Sequence, residues 1–302
     1  MTTVSFVITV YNKAAFLADV IGALKAQTGT FEREFVFVND GSTDHSWDVV
    51  KAETVDLKNV VLVDQNNQGV AIATNNGVKA ASGDFIKLVD ADDILAPYCT
   101  ELLLKTALDT NCAFTLGISG EYEDKEDIVF KNPNNASVKI FEDPLYMVID
   151  EGYARVSHCL FKKTYFVDAG CCDERLFSQD HSLFIRLSAL GQLSQVFHEV
   201  CVSPKDEPGR IMNNEAQVVH DATLALAYHV QDNMNLTQYQ RHAAQKKIVS
   251  RVWKWAKKVH GVSIFSQEFL LFLFVRCGLT LSADKLVSLC AIFRKNAQVR
   301  RP

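Results

Sequence analysis

The sequence holds no apolar run long enough to cross a bilayer. Its longest, Phe269 to Val275, falls far short of the ~20 residues a membrane-spanning helix needs. It also lacks G-x-G-x-x-G and G-x-x-x-x-G-K-[ST], which disfavours dinucleotide-binding dehydrogenases and P-loop enzymes. The eight cysteines show no paired C-x-x-C spacing, and the adjacent Cys171-Cys172 is not a zinc pattern, so reduced, mostly buried thiols are expected. Met1 to Val4 carries no basic segment leading into an apolar one, so no secretory signal is expected and a cytosolic location is. Carboxylates are missing between Arg241 and Gly261, where seven Lys/Arg fall. Over all 302 residues the net charge is nonetheless -5, which gives bulk electrostatics no reason to attract nucleic acid.

What is present is an alternation. Val4 to Val10 is a β-rich apolar run of the kind buried on both faces of a sheet, and Ala14 to Gln27 follows with apolar residues at helical spacing (Phe16, Val20, Ile21, Leu24). Phe35 to Val38 is the second strand, and Ser42 or Thr43 is expected to cap a helix running through Val55. Val60 to Val63, Val70 to Ala81 and Phe85 to Val89 supply strand, helix and strand. Such β-α repetition implies a parallel sheet covered by helices, with ligands at the carboxyl ends of its strands. The polar clusters Thr9 to Asn12, Asn39 to Asp44 and Asp90 to Asp93 fall at those ends. Further on, a helix is expected near Pro97 to Asp109, a strand near Cys112 to Ile118, a loop or hairpin over Tyr122 to Asn135, a helix over Ser182 to Leu190 and a strand near Gln195 to Val202. From Glu215 the pattern is helical.

The densest chemistry is Asp90-Ala91-Asp92-Asp93. Three carboxylates within four residues repel one another unless something positive sits among them, and a divalent, oxygen-seeking cation is the usual solution. On its own the cluster reads equally well as an N-cap for the helix near Pro97. The neighbouring clusters change that balance. Thr9-Val10-Tyr11-Asn12, Asn39-Asp40-Gly41-Ser42-Thr43-Asp44, Asn67-Gln68-Gly69, Asn75-Asn76-Gly77 and Ser82-Gly83-Asp84 precede it in order. As an ordered set they resemble the family 2 glycosyltransferases of the GT-A fold, over residues 4 to 190.

The resemblance implies an α/β fold with a mixed, mostly parallel sheet and a C-terminal helical extension. It also implies a nucleoside-diphosphate sugar donor (a UDP-sugar favoured), a divalent metal (Mn²⁺ or Mg²⁺), a glycan or glycolipid acceptor, and inversion at the anomeric carbon, in the setting of cell-surface polysaccharide or glycolipid synthesis. Residues 1–214 would form the catalytic domain (donor half 1–118, acceptor half 119–214), with 215–302 as the helical region. Carried over by position, Thr9 and Tyr11 would line the nucleotide pocket, Asp40 would accept from the base, and Thr74 stands where a base- or phosphate-contacting Arg is usual. Asp90 would meet the ribose or the metal, and Asp92 the metal. In Asp173 to Asp180, Asp180 would be the general base, taking the acceptor's proton; the alternative is an N-cap for the helix at Ser182. His220 is a candidate third metal ligand or else a structural or exposed histidine, His181 either lines the acceptor pocket or lies at the surface, and Lys205 and Arg210, beside Pro208 and Gly209, either close as a lid or sit in a solvated loop. The sequence departs from the family at Thr9 (usually Pro), Lys13 (usually acidic), Thr74 (usually Arg) and Gln179 (usually Glu). A nucleotidyltransferase and an inactive scaffold that keeps the fold are the competing readings.

Between residues 241 and 261, Lys247, Arg251, Lys254 and Lys258 share one helical stripe and Ile248, Val252, Trp255 and Val259 the next. A basic amphipathic helix with Trp suggests contact with an anionic membrane, here at its inner face. An ordinary helix with a solvated basic face is the alternative. The stretch around Phe269 to Val275, with Leu286, Leu289, Ile292 and Phe293, reads as a packing core or the interface of a homo-oligomer.

Overall fold

The structure is a computed structural model, and it describes residues 1–152, 155–205, 213–295 and 299–300. In chain order the first elements are β1 (Thr3–Val10), α1 (Ala14–Lys25), β2 (Glu32–Asp40), α2 (Ser46–Glu53), β3 (Val60–Gln65), α3 (Val70–Ala80) and β4 (Phe85–Asp90). They continue with β5 (Ile94–Leu95), α4 (Cys99–Thr110), β6 (Phe114–Tyr122), β7 (Val138–Phe141), α5 (Pro144–Glu151), β8 (Cys159–Lys162), α6 (Lys163–Asp168), α7 (Gln179–Ser188) and β9 (Leu193–Pro204). The chain closes with α8 (Glu215–Asp232), α9 (Gln238–His260), α10 (Gln267–Arg276), α11 (Ala283–Leu289) and a 3₁₀ turn over Cys290–Lys295.

These elements fall into two compact units. The first (Met1–Asp143, Arg155–Cys172, Leu190–Glu207) contains the nine-stranded sheet, ordered β3-β2-β1-β4-β8-β6-β9-β5 with β7 beside β9. The second (Pro144–Ala154, Asp173–Ala189, Pro208–Pro302) is helical. The division departs from the boundary expected at residue 214, because α5 and α7 cluster with the C-terminal helices.

In the first unit β3, β2, β1 and β4 run parallel, as the β-α alternation requires. β1 is buried along nearly its whole length, and α1 presents Leu17, Val20, Ile21 and Leu24 to the core at i, i+3, i+4 and i+7. Each such side chain contributes about 1.5–3 kcal/mol on burial. Gly77 permits the close approach of α3: a Cβ there would lie 2.5 Å from Val7 Cγ1 and 2.9 Å from Val38 Cγ2. In Ser82-Gly83-Asp84, the buried Glu34 carboxylate accepts from Ser82 N and Ser82 Oγ, each at 2.7 Å, and from Ser5 Oγ. A Cβ on Gly83 would meet Ser5 Oγ at 2.5 Å. That motif is therefore structural.

Several sequence expectations shift. α2 begins at Ser46, and Ser42 and Thr43 do not cap it. α4 is preceded by Tyr98 and has no side-chain cap, so the acidic quartet is not its N-cap. β5, β7 and β8 were not anticipated; the first is two residues long and the other two are four. Six of the eight cysteines are buried and all are free thiols.

In the second unit Ile248, Val252 and Trp255 of α9 are buried, with the Trp255 ring 5.7 Å from Phe293. Two members of the basic stripe are engaged within the same unit: Arg251 donates to the Ala222 carbonyl at 2.9 Å and Lys258 pairs with Glu215 at 2.6 Å. Of the expected packing stretch, Val275, Leu286 and Phe293 are buried, whereas Leu270, Leu273 and Phe274 remain exposed. Among the described residues no helix is long and apolar enough to cross a membrane.

Candidate active site

The parallel register brings the polar clusters to one end of the sheet. Thr9 of β1 lies level with Val38 of β2 and with Asp90 of β4, and Asp40 lies level with Gln65 of β3. Tyr11 follows β1 and is 45% exposed, a ring available for stacking. Asn12 adopts a left-handed φ of 52°, which Asn tolerates better than most residues. From there its Oδ1 accepts from Thr43 N at 2.8 Å and its backbone N–H donates to Ser42 Oγ at 3.2 Å. Asn39 Oδ1 accepts from Ser42 N at 3.0 Å, and Gly41 turns the chain between them with φ 69°. Ser42 and Thr43 thus tie the β1 and β2 loops together.

Asp40, expected to accept from a base, has a different set of partners. It is 4% exposed. Its Oδ1 accepts from Gln65 Nε2 at 2.9 Å and from Gln68 N at 2.8 Å, and its Oδ2 accepts from Gly69 N at 3.0 Å. The carboxylate organises the loop that leads into α3. Thr74, on α3, is 2% exposed and so sealed from solvent. On the same helix Asn75 exchanges bonds with Cys172, Nδ2 donating to its carbonyl at 3.1 Å and Oδ1 accepting from its N–H at 2.9 Å.

At the end of β4, Asp90 N donates to Ser157 Oγ at 2.9 Å, and Asp93 N closes a turn onto Asp90 O at 3.1 Å. Asp92, 7% exposed, carries the Lys13 ammonium on Oδ2 at 2.5 Å. In the sequence Lys13 stands out only as a departure from the family pattern, and Lys87 carries no motif. Lys87 is fully buried in β4 and donates to the Ser157 carbonyl. A lone Lys inside a strand buried on both faces was the available signal. Beside it, burial, with the charges of Lys87 and Arg155, pushes the His158 pKa down to about 3, so this imidazole is neutral.

The resemblance implies a divalent cation, and the donors bear on whether these residues suit one. The carboxylate oxygens of Asp90 and Asp92 are of the right hardness. Asp92 Oδ2, however, is already neutralised by Lys13, and among the described residues no three His, Cys, Asp or Glu side chains converge as a metal would require. As arranged, the residues do not fit a metal held by the chain alone.

In the second unit Asp180 is the second residue of α7, half-buried, with Oδ1 accepting from His181 N at 2.7 Å. Asp180 is not the N-cap, which is Ser178. His181 is 8% exposed rather than at the surface. Asp173 is gripped by Arg175 and Arg186, each at 2.6 Å; burial alone would raise its pKa, but these partners hold it below the usual carboxylate range. His220 has both ring nitrogens engaged, Nδ1 with Asp221 at 2.7 Å and Nε2 accepting from Arg294 at 3.2 Å, leaving no lone pair for a metal. It lines a cavity of about 310 Å³ with Arg175, Arg294 and Arg300. Lys205 pairs with Glu123 in the first unit at 2.6 Å, and Pro208, Gly209 and Arg210 lie outside the described residues.

Known proteins share this fold. TarS of S. aureus, solved with UDP-GlcNAc, superposes with a TM-score of 0.60 at 14% identity, over 97% of this chain and 92% of that one. The mannosyltransferase PcManGT of Pyrobaculum calidifontis, solved with GDP-Man and Mn²⁺, gives 0.61 at 16% identity, over 97% and 81%. At such identities the likeness establishes the fold, the mixed α/β GT-A architecture with helices at the C-terminus. In sequence, the uncharacterized glycosyltransferase YibD of Escherichia coli is 35% identical over 105 residues, 35% of this chain and 30% of that protein. The chain spans less than half the length of the curated relatives it matches. The model of glycosyl transferase family 2 matches residues 5–168, more than half of the chain, and the chain belongs to that family.

Proposed function

We propose that the chain transfers a sugar from a nucleoside-diphosphate sugar, a UDP-sugar by preference, to a hydroxyl of a glycan or glycolipid, with inversion. The observation that carries this reading is the convergence of Thr9, Asp40 and Asp90 on the carboxyl ends of adjacent parallel strands, with Asp92 and Lys13 at the same loops. Tyr11 stacks on the base in this reading, Thr9 and Asp90 meet the nucleoside, and Asp40 acts through the 65–69 loop. The neighbours solved with UDP-GlcNAc and with GDP-Man support a nucleotide-sugar donor. Family membership favours sugar transfer over nucleotidyl transfer.

Asp180 is the general base. It takes the proton of the acceptor hydroxyl as that oxygen attacks the anomeric carbon. The bond from that carbon to the diphosphate oxygen breaks, and its electron pair leaves on the nucleoside diphosphate. His220 is left out of the site because its nitrogens are engaged. Mn²⁺ and Mg²⁺ enter as ions to be tested, since PcManGT was solved with Mn²⁺. Membrane contact through residues 241–261 is proposed in electrostatic form only, through exposed Lys254 and Lys257, because Trp255 is buried.

The test is a thermal-shift panel of UDP-, GDP-, CMP- and dTDP-sugars with and without Mn²⁺. A ligand present at 100 times its Kd stabilises the folded state by about 2.7 kcal/mol. If no nucleotide sugar raises the midpoint in either condition, the donor-site reading is wrong.

A further inference from the structure

Lys13 stands where the acidic quartet needs a positive charge. Its backbone is fixed: the N–H donates to Ser46 Oγ at 2.7 Å, and its carbonyl accepts from Phe16 N at 3.0 Å. From this anchor the side chain reaches Asp92, 79 residues away in sequence, and places Nζ 2.5 Å from Oδ2. The ring of Phe16 lies 5.2 Å from the same nitrogen and covers one side of it. The Lys13 side chain stays 25% exposed while that of Asp92 is 9% exposed, so the ammonium forms the solvent-facing end of the pair. An ammonium has three N–H donors, and Asp92 takes one. The others are available to an anion at the strand ends.

Resting on the donor-site reading above, we infer that Lys13 is the resident cation of this site: it binds the diphosphate of the donor directly, and donor binding does not depend on a divalent metal. Asp90, Asp92 and Asp93 together would repel a diphosphate, and Lys13 offsets that repulsion at Asp92. As the bond to the sugar breaks, negative charge builds on the leaving diphosphate, and a cation already in position stabilises it without reorganisation. A metal at Asp92 would first have to displace the ammonium. Lys13 is thus a binding residue for the phosphates, distinct from a residue that only fastens α1 to the β4 loop.

The experiment is calorimetric titration of the full chain with UDP and with GDP, in EDTA and in Mn²⁺, with uridine and guanosine as phosphate-free controls. Wild-type protein is expected to bind its nucleoside diphosphate with less than two-fold change between EDTA and Mn²⁺. Lys13→Met is expected to weaken that binding about ten-fold or more in EDTA, to leave the nucleoside unchanged, and to regain affinity with Mn²⁺. Lys13→Arg is expected to stay near wild type in EDTA. Wild-type binding that disappears in EDTA and returns with Mn²⁺ overturns the inference while leaving the donor site standing, and this arm needs no variant to fold. A Lys13→Met protein that binds as wild type in EDTA overturns it too, and leaves Lys13 a structural role. If neither diphosphate binds in either condition, the donor-site reading itself falls and the inference with it.

Discussion

Asp40→Asn separates a loop-organising role from a base contact. The native carboxylate accepts three N–H groups, from Gln65 and Gln68 on Oδ1 and from Gly69 on Oδ2. An amide of the same shape offers one oxygen, so its NH₂ must face either Gly69 N or the Gln65 and Gln68 pair. Leaving a buried donor unsatisfied costs about 1–3 kcal/mol, and the surviving bonds lose their charge assistance. The loss is therefore about 2–4 kcal/mol, concentrated in the 65–69 loop, and 2 kcal/mol corresponds to about a 30-fold rise in the open population. Amide hydrogen exchange at Gln68 and Gly69 measures it directly, alongside a UDP titration. The expected result is protection reduced about 30-fold or more at both amides, with weaker UDP binding as a consequence of the loosened loop. Full protection at Gln68 and Gly69 together with abolished UDP binding would refute the argument and return Asp40 to the base.

Four further outcomes are expected. Asp180→Asn should bind donor as wild type does and lose about 10²- to 10⁴-fold in transfer rate, measured with radiolabelled donor; undiminished transfer rules out the base. Gly41→Ala forces a Cβ onto φ 69° and to 2.6 Å from the Asn67 backbone nitrogen, so urea unfolding should show a loss of about 2 kcal/mol or more. Burial holds the folded pKa of His158 at about 3, against the ordinary 6.5 of an exposed imidazole, so the unfolded chain binds the extra proton first. Stability should be complete above pH 6.5 and fall as the pH drops toward 3, with burial of His229 (about 4) adding to the slope; urea midpoints for His158→Gln across this range should show a shallower decline. Finally, sedimentation with phosphatidylglycerol vesicles should be salt-sensitive and lost in Lys254→Glu/Lys257→Glu, whereas binding to phosphatidylcholine would show an apolar contact that a buried Trp255 cannot make.

The sequence by itself determined the order of the first four strands and helices. It did so because β1 and β2 carry short β-rich apolar runs (Phe6 to Ile8, Phe35 to Val38) and α1 repeats at helical spacing, and such patterns have few other ways to be buried. It also determined that Thr9, Asp40 and Asp90 share one end of the sheet, since in parallel β-α units the strand termini align by construction. It could not determine partners. Whether Asp92 faces a metal or Lys13, whether Asp40 meets a ligand or the Gln68 and Gly69 amides, and whether His220 is available or held by Asp221 and Arg294 all depend on side chains distant along the chain. The same is true of α9, whose Trp255 reads as a membrane anchor in one dimension and is core in three. Periodicity is a property of one segment and survives in the string of residues. Pairing is a property of two segments, and only packing decides it.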